Sequence, residues 1–101
     1  MGASLQRGHL TIAVTTGGAS PTLAAKIRDE LAERFGPEYE DYLELLAELR
    51  EKARAAIPDR ERRHSALKRL AMDDAIRELI RDGRSAEARA RAEACIFSSS
   101  D

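Results

Sequence analysis

Along this chain the spacing of apolar residues shifts from a period of two to a helical period. From Leu10 to Thr16, Leu10, Ile12 and Val14 fall on one side and Thr11, Ala13 and Thr15 on the other. A period of two with β-branched residues predicts a strand. Residues 1–9 offer it at most one short, weak partner. A lone strand cannot satisfy its ladder hydrogen bonds, so its partners are expected in a symmetry mate or in sequence outside this chain.

Gly17-Gly18 ends the strand, and Ser20-Pro21 supplies a capping hydroxyl and a proline suited to the first helical position. A helix is expected from Pro21 to about Phe35, with Leu23, Ile27, Leu31 and Phe35 as its buried face, stopped by Gly36-Pro37. A longer helix is expected from about Glu38 to Ile57. Its stripe is Tyr39, Tyr42, Leu46, Leu49, Ala53 and Ile57, widened by Leu43 and Leu45. Pro58 ends it and Asp59 caps a basic helix over Arg60 to Ala71. Asp73 caps a short helix with Ile76, Leu79 and Ile80, closed by Gly83. Ser85 is expected to cap the last helix, which turns Ala88, Ala92, Cys95 and Ile96 inward, and Ser98 to Asp101 is expected to fray. The fold class is mostly α with a short β element (α+β): an N-terminal strand, a Gly-Gly-x-Ser-Pro loop, a long helix pair and a small C-terminal helical bundle.

Composition narrows the function. The 101 residues are 43% apolar and 35% charged, which suits neither a disordered chain nor a membrane span. With no Trp, two Phe and two Tyr, core volume must come from Leu, Ile, Val and Ala. A net charge of -1 and a pI near 6.1 favour neither nucleic acid nor a membrane surface as partner. Met1 to Arg7 lacks an apolar signal-peptide core, so a cytoplasmic location is the default expectation.

Little here reads as catalytic. His9, His64 and the single Cys95 make no zinc pattern, and Cys95 sits on an alanine stripe that suits a buried thiol. Capping explains Asp73-Asp74 better than acid–base chemistry. The strongest candidate is the loop Thr15 to Pro21, which sets hydroxyls and backbone amides ahead of a helix N-terminus. Such a place suits a phosphate or carboxylate, and it is equally a tight turn with a serine cap. Neither GxGxxG nor a P-loop ending is present.

From Leu5 to Ala24 the chain resembles a known family. A strand preceded by Arg7-Gly8, then Gly17-Gly18, Ser20-Pro21 and a helix rich in Leu, Ala, Arg and Glu resemble the segment after the dinucleotide-binding domain of precorrin-2 dehydrogenases, the siroheme-synthase N-terminal module. Ala19 departs from the lysine usual in that family. The long helix and the Asp59-Arg60-Glu61-Arg62-Arg63 start also fit it. The resemblance implies a parent that oxidises precorrin-2 to sirohydrochlorin with NAD and, in many members, inserts ferrous iron, Fe2+ being a substrate. It implies a dimerisation region over residues 4–57, a C-terminal helical region over 58–97, a homodimer, and an N-terminal Rossmann NAD-binding domain that this sequence does not include. No catalytic, cofactor-binding or metal-binding residue is then expected in this chain, which alone would be inactive. Gly17, Gly18, Ala19 and Ser20 are the expected contacts to the carboxylates of the tetrapyrrole substrate, with Arg62 and Arg63 as a second contact. The competing expectation is a standalone helical interaction or structural module using the stripe from Tyr39 to Ile57.

Overall fold

A computed structural model describes residues 2–97 as two strands and five helices, an α+β arrangement. Its contacts divide into two compact units at Leu43/Glu44, within the second helix. The expected fraying of Ser98 to Asp101 lies outside the described residues.

In the first unit β1 (Ala3–Arg7) and β2 (Leu10–Val14) form an antiparallel hairpin with Leu5 opposite Ile12 and Arg7 opposite Leu10. This corrects the expectation of a lone strand. Gly8, with φ 59°, takes the first central position of a two-residue turn, the geometry that matches strand twist and favours glycine there. Ala3, Leu5, Arg7, Leu10, Ile12 and Val14 share the covered face, while Ser4, Gln6, Thr11 and Ala13 are exposed. Because β2 has a partner in its own chain, its pairing no longer argues for a second copy.

Helix α1 (Pro21–Arg34) packs on both strands. Ala24, 1% exposed, is its buried centre, with Ile27, Arg28, Leu31 and Ala32 half-buried, whereas Leu23 is 45% exposed. The expected face is thus rotated by about one residue. The small Ala24 side chain lets the helix approach the narrow hairpin, which a leucine-centred face would not. Helix α2 (Glu38–Ala56) begins in this unit, where Tyr39 stands edge-on between Phe35 (centroids 5.2 Å apart) and Tyr42 (5.7 Å).

The second unit holds the rest of α2 with α3 (Arg60–Met72), α4 (Asp74–Arg81) and α5 (Ser85–Phe97), and α5 packs against both α3 and α4. Leu49, Ala53, Ala66, Leu70, Ile76, Ala88, Ala92 and Ile96 form its core. Small alanines at helix contacts replace the missing aromatic volume by close approach. The caps follow local sequence: Asp59 accepts from the Arg62 amide at 2.9 Å and Asp73 from the Ala75 amide at 3.1 Å. Ser85 is a correction. It is the first residue inside α5, and the Ala88 amide donates to the carbonyl of Arg84, which therefore holds the capping position. The reason is the turn closing α4, where Gly83 and Arg84 donate to Ile80 and Leu79 and run directly into α5.

Candidate functional site

The loop between β2 and α1 is held from within. Gly17 and Gly18 have φ of 64° and 83°, and a Cβ on either would meet nothing within 4 Å. The glycines are therefore required by backbone conformation rather than by space, and the loop surface above them is open. Thr16 organises the rest. Its hydroxyl donates to the Ser20 carbonyl at 3.1 Å and accepts from the Ser20 amide at 3.0 Å, while its carbonyl accepts from the Ala19 amide at 3.1 Å. Thr15 Oγ1 accepts from the Gly17 amide at 3.3 Å. Ser20 Oγ caps α1 by accepting from the Leu23 amide at 3.0 Å.

These bonds alter what the loop can offer. The amides of Gly18, Ala19 and Ser20 were the expected donors to a carboxylate. Two of them, Ala19 and Ser20, already donate to Thr16. The Ser20 hydroxyl is likewise engaged, though it keeps a proton to donate. Thr16 is the residue that sequence reasoning missed; its only signal was a hydroxyl four positions before a capping serine.

Arg7 was also undervalued. It reaches from the covered face of the hairpin to the end of α1, where Nε donates to the Phe35 carbonyl at 2.9 Å and Nη2 to the Ala32 carbonyl at 3.3 Å. A cation there satisfies carbonyls the helix leaves open and complements its dipole. Gly8 beside it has no room for a side chain: a Cβ would lie 2.9 Å from Glu40 Cγ and 3.3 Å from Glu40 Cα. The Arg7-Gly8 pair thus fixes the hairpin against the end of α1 and the start of α2.

Arg62 and Arg63 lie in the second unit and are not equivalent. Arg63 Nη1 donates to the carbonyls of Ile57 at 2.9 Å and Pro58 at 3.4 Å, closing the α2–α3 turn. Arg62 is exposed. His9 and His64 are exposed as well, and the described residues contain no group of three or more His, Cys, Asp and Glu side chains able to hold a metal. Burial, reinforced by the Asp73 carboxylate, pushes the Cys95 thiol up from its ordinary value, which suits a packing residue rather than a nucleophile. Asp73 is committed to its cap and to Arg91 Nε at 2.7 Å. No helix among the described residues is long and apolar enough to cross a membrane.

A hairpin, a double-glycine loop, a capped helix and an alanine-packed helical remainder can be compared with known proteins as one pattern. The family described as "Sirohaem biosynthesis protein central" matches residues 7–34, which run from Arg7 through the loop to the end of α1. A siroheme synthase from Methylococcus capsulatus is 41% identical over 63 residues, 61% of this chain and 13% of that protein. A precorrin-2 dehydrogenase from Priestia megaterium is 32% identical over 75 residues, 74% of this chain and 37% of that protein. The solved structure of SirC, a precorrin-2 dehydrogenase, superposes with a TM-score of 0.76 at 28% identity, covering 92% of this chain and 45% of that one.

The pattern is therefore that of the central region of a sirohaem-biosynthesis protein. The chain belongs to the precorrin-2 dehydrogenase and siroheme synthase family, and it spans less than half the length of these relatives.

Proposed function

We propose that this chain is the central and C-terminal part of a precorrin-2 dehydrogenase, forming one wall of a tetrapyrrole cleft and the surface through which two subunits join. One observation carries the reading. The family match falls on the stretch that includes the open Gly17 to Ser20 loop, and the likeness to SirC extends over 92% of the chain. In this reading the parent oxidises precorrin-2 to sirohydrochlorin with NAD, and ferrous iron, where the parent inserts it, is a substrate. A substrate bearing several carboxylates suits the exposed loop of the first unit, and Arg62 in the second unit is an exposed guanidinium with no ion pair among the described residues.

The strand, loop and helix do not fit NAD itself. β2 pairs antiparallel with β1 through a two-residue turn, so the crevice of a parallel βαβ unit is not formed, and the Ala19 and Ser20 amides are spent on Thr16. The nicotinamide chemistry then belongs to a Rossmann domain outside these residues.

The test is titration of the purified chain with uroporphyrin, a stable polycarboxylate tetrapyrrole, beside an assay for precorrin-2 oxidation with NAD. Saturable binding without turnover is expected, and light scattering is expected to show a dimer. Turnover by the chain alone, or no tetrapyrrole binding, overturns the reading. The second outcome would favour a standalone interaction module.

A further inference from the structure

The outward side of α3 carries a row of basic residues. Arg60, His64 and Lys68 are exposed at a spacing of four, so they form one stripe along the helix. None of the three makes an ion pair among the described residues. Several cations elsewhere are paired, Lys52 with Glu48 and Glu93, Arg89 with Glu48, Arg84 with Glu87, and Arg91 with Asp73. The position is also electrostatically unfavourable, because cations in a first turn oppose the positive end of the helix dipole. Arg60 and Arg62 both stand there, with the nearby Arg63 turned back onto Ile57. Arg60 therefore gains nothing from the dipole, which Asp59 and Glu61 meet instead.

We propose that the Arg60–His64–Lys68 stripe is a recruitment surface for the polycarboxylate tetrapyrrole, raising its rate of encounter rather than holding it in the cleft. The proposal rests on the tetrapyrrole reading above. A helical rise of about 1.5 Å per residue makes the stripe roughly 12 Å long, the scale of one macrocycle and not of a long polymer. Helix α3 carries no Phe, Tyr or Trp on which bases could stack, and the whole chain has a net charge of -1, which disfavours nucleic acid as the occupant. Fixed cations such as Arg60 and Lys68, facing a multiply charged anion, accelerate association and leave a salt dependence.

The experiment is stopped-flow association of uroporphyrin with the full chain and with Arg60→Gln/Lys68→Gln, at ionic strengths of about 0.01 M and about 1 M, where the screening length falls from about 30 Å to about 3 Å. The double variant is expected to associate roughly 3- to 10-fold more slowly at low salt, to match the wild type at high salt, and to dissociate at an unchanged rate. Lys26→Gln/Arg50→Gln removes the same charge elsewhere and is expected to have a much smaller effect. Circular dichroism checks that each variant keeps its helices. Equal slowing by the control pair, or an unchanged association rate in a folded stripe variant, overturns the proposal alone. Equally fast, competing association of a single-stranded oligonucleotide overturns the assignment to a tetrapyrrole. Absence of uroporphyrin binding by the wild type overturns the tetrapyrrole reading and this proposal with it.

Discussion

Arg7 Nε donates to the Phe35 carbonyl at 2.9 Å, tying the first strand to the last turn of α1 across 28 residues of sequence. The side chain is half-buried and also serves Ala32. Hydrogen bonds from a charged donor contribute about 1.5–3 kcal/mol where they are kept from water. Arg7→Met should therefore destabilise the chain by about 1–2 kcal/mol in urea unfolding, the lower figure allowing for partial exposure. Arg7→Lys should recover only part of this, since one ammonium cannot span both carbonyls. Equal stability of Arg7→Met and wild type would show that the cap contributes nothing.

The neighbouring glycine gives a sharper contrast. Gly8→Ala meets both a positive φ and the backbone of Glu40, whereas Gly18→Ala meets a positive φ in open space. Left-handed backbone alone costs roughly 1–2 kcal/mol for an alanine, so Gly18→Ala should lose about that much and Gly8→Ala clearly more. Glu40→Ala should rescue Gly8→Ala only in part, because it removes the Glu40 Cγ at 2.9 Å but leaves the positive φ and the Glu40 Cα at 3.3 Å. Full rescue would mean that the flexible Glu40 side chain was the whole obstacle.

Core truncations should rank by burial rather than by sequence stripe. Leu49 and Ile76 are 0% exposed, so Leu49→Ala or Ile76→Ala should cost about 2–5 kcal/mol. Leu31 and Leu46 also sit on apolar stripes but are only half-buried, and should cost less. Leu23→Ala should cost least of the leucines, with its side chain 45% exposed. A Leu23→Ala loss equal to that of Leu49→Ala would mean that Leu23 is covered in solution.

These contrasts show which features were legible in the sequence. Strand β2 announced itself because Leu10, Ile12 and Val14 alternate with smaller or polar residues. Strand β1 did not, because Ser4, Gln6 and Arg7 leave Leu5 as its single large apolar residue. Its signal lay in Gly8-His9, a two-residue turn that only becomes visible once two strands are paired around it. Caps at Ser20, Asp59 and Asp73 were legible because they act over two or three residues. The buried face of α1 was not, because periodicity weights Leu23 above Ala24 and cannot tell how closely a helix approaches a two-stranded hairpin. In the loop, the glycines were readable from their type, whereas the Thr16 clamp joins residues through hydroxyl geometry that spacing does not encode.

Acid should weaken the link between α2 and α5. Glu48 accepts from both terminal nitrogens of Arg89, one at 3.0 Å, and pairs with Lys52 at 3.4 Å. The Arg89 hydrogen bonds, aided by Lys52, hold the Glu48 carboxyl below its usual range. A carboxylate whose folded value lies below its unfolded value stabilises the fold above the unfolded value and loses that contribution as pH falls through the folded one. Melting temperature should therefore drop on acidification more steeply for the wild type than for Glu48→Gln. Because the pair is solvent-exposed, the difference should shrink in high salt. Parallel melting curves for the two proteins down through the carboxylate range would show that the pair adds nothing.

Cys95 should be a slow thiol. It is partly covered on α5, its Sγ lies 4.0 Å from Asp73 Oδ2, and its backbone carbonyl accepts from Arg69 Nη2 at 3.1 Å. Burial and the facing carboxylate both raise the thiol, outweighing the attraction of Arg91 and Arg69 for a thiolate. Since the thiolate is the reactive form, a disulfide reagent near neutral pH should modify folded Cys95 more slowly than the same residue in denaturant. The rate should rise as pH increases, and should rise at neutral pH in any variant that opens the second unit, Ile76→Ala among them. Reaction of the folded chain as fast as the denatured one would contradict the packing role and put Cys95 among exposed, reactive thiols.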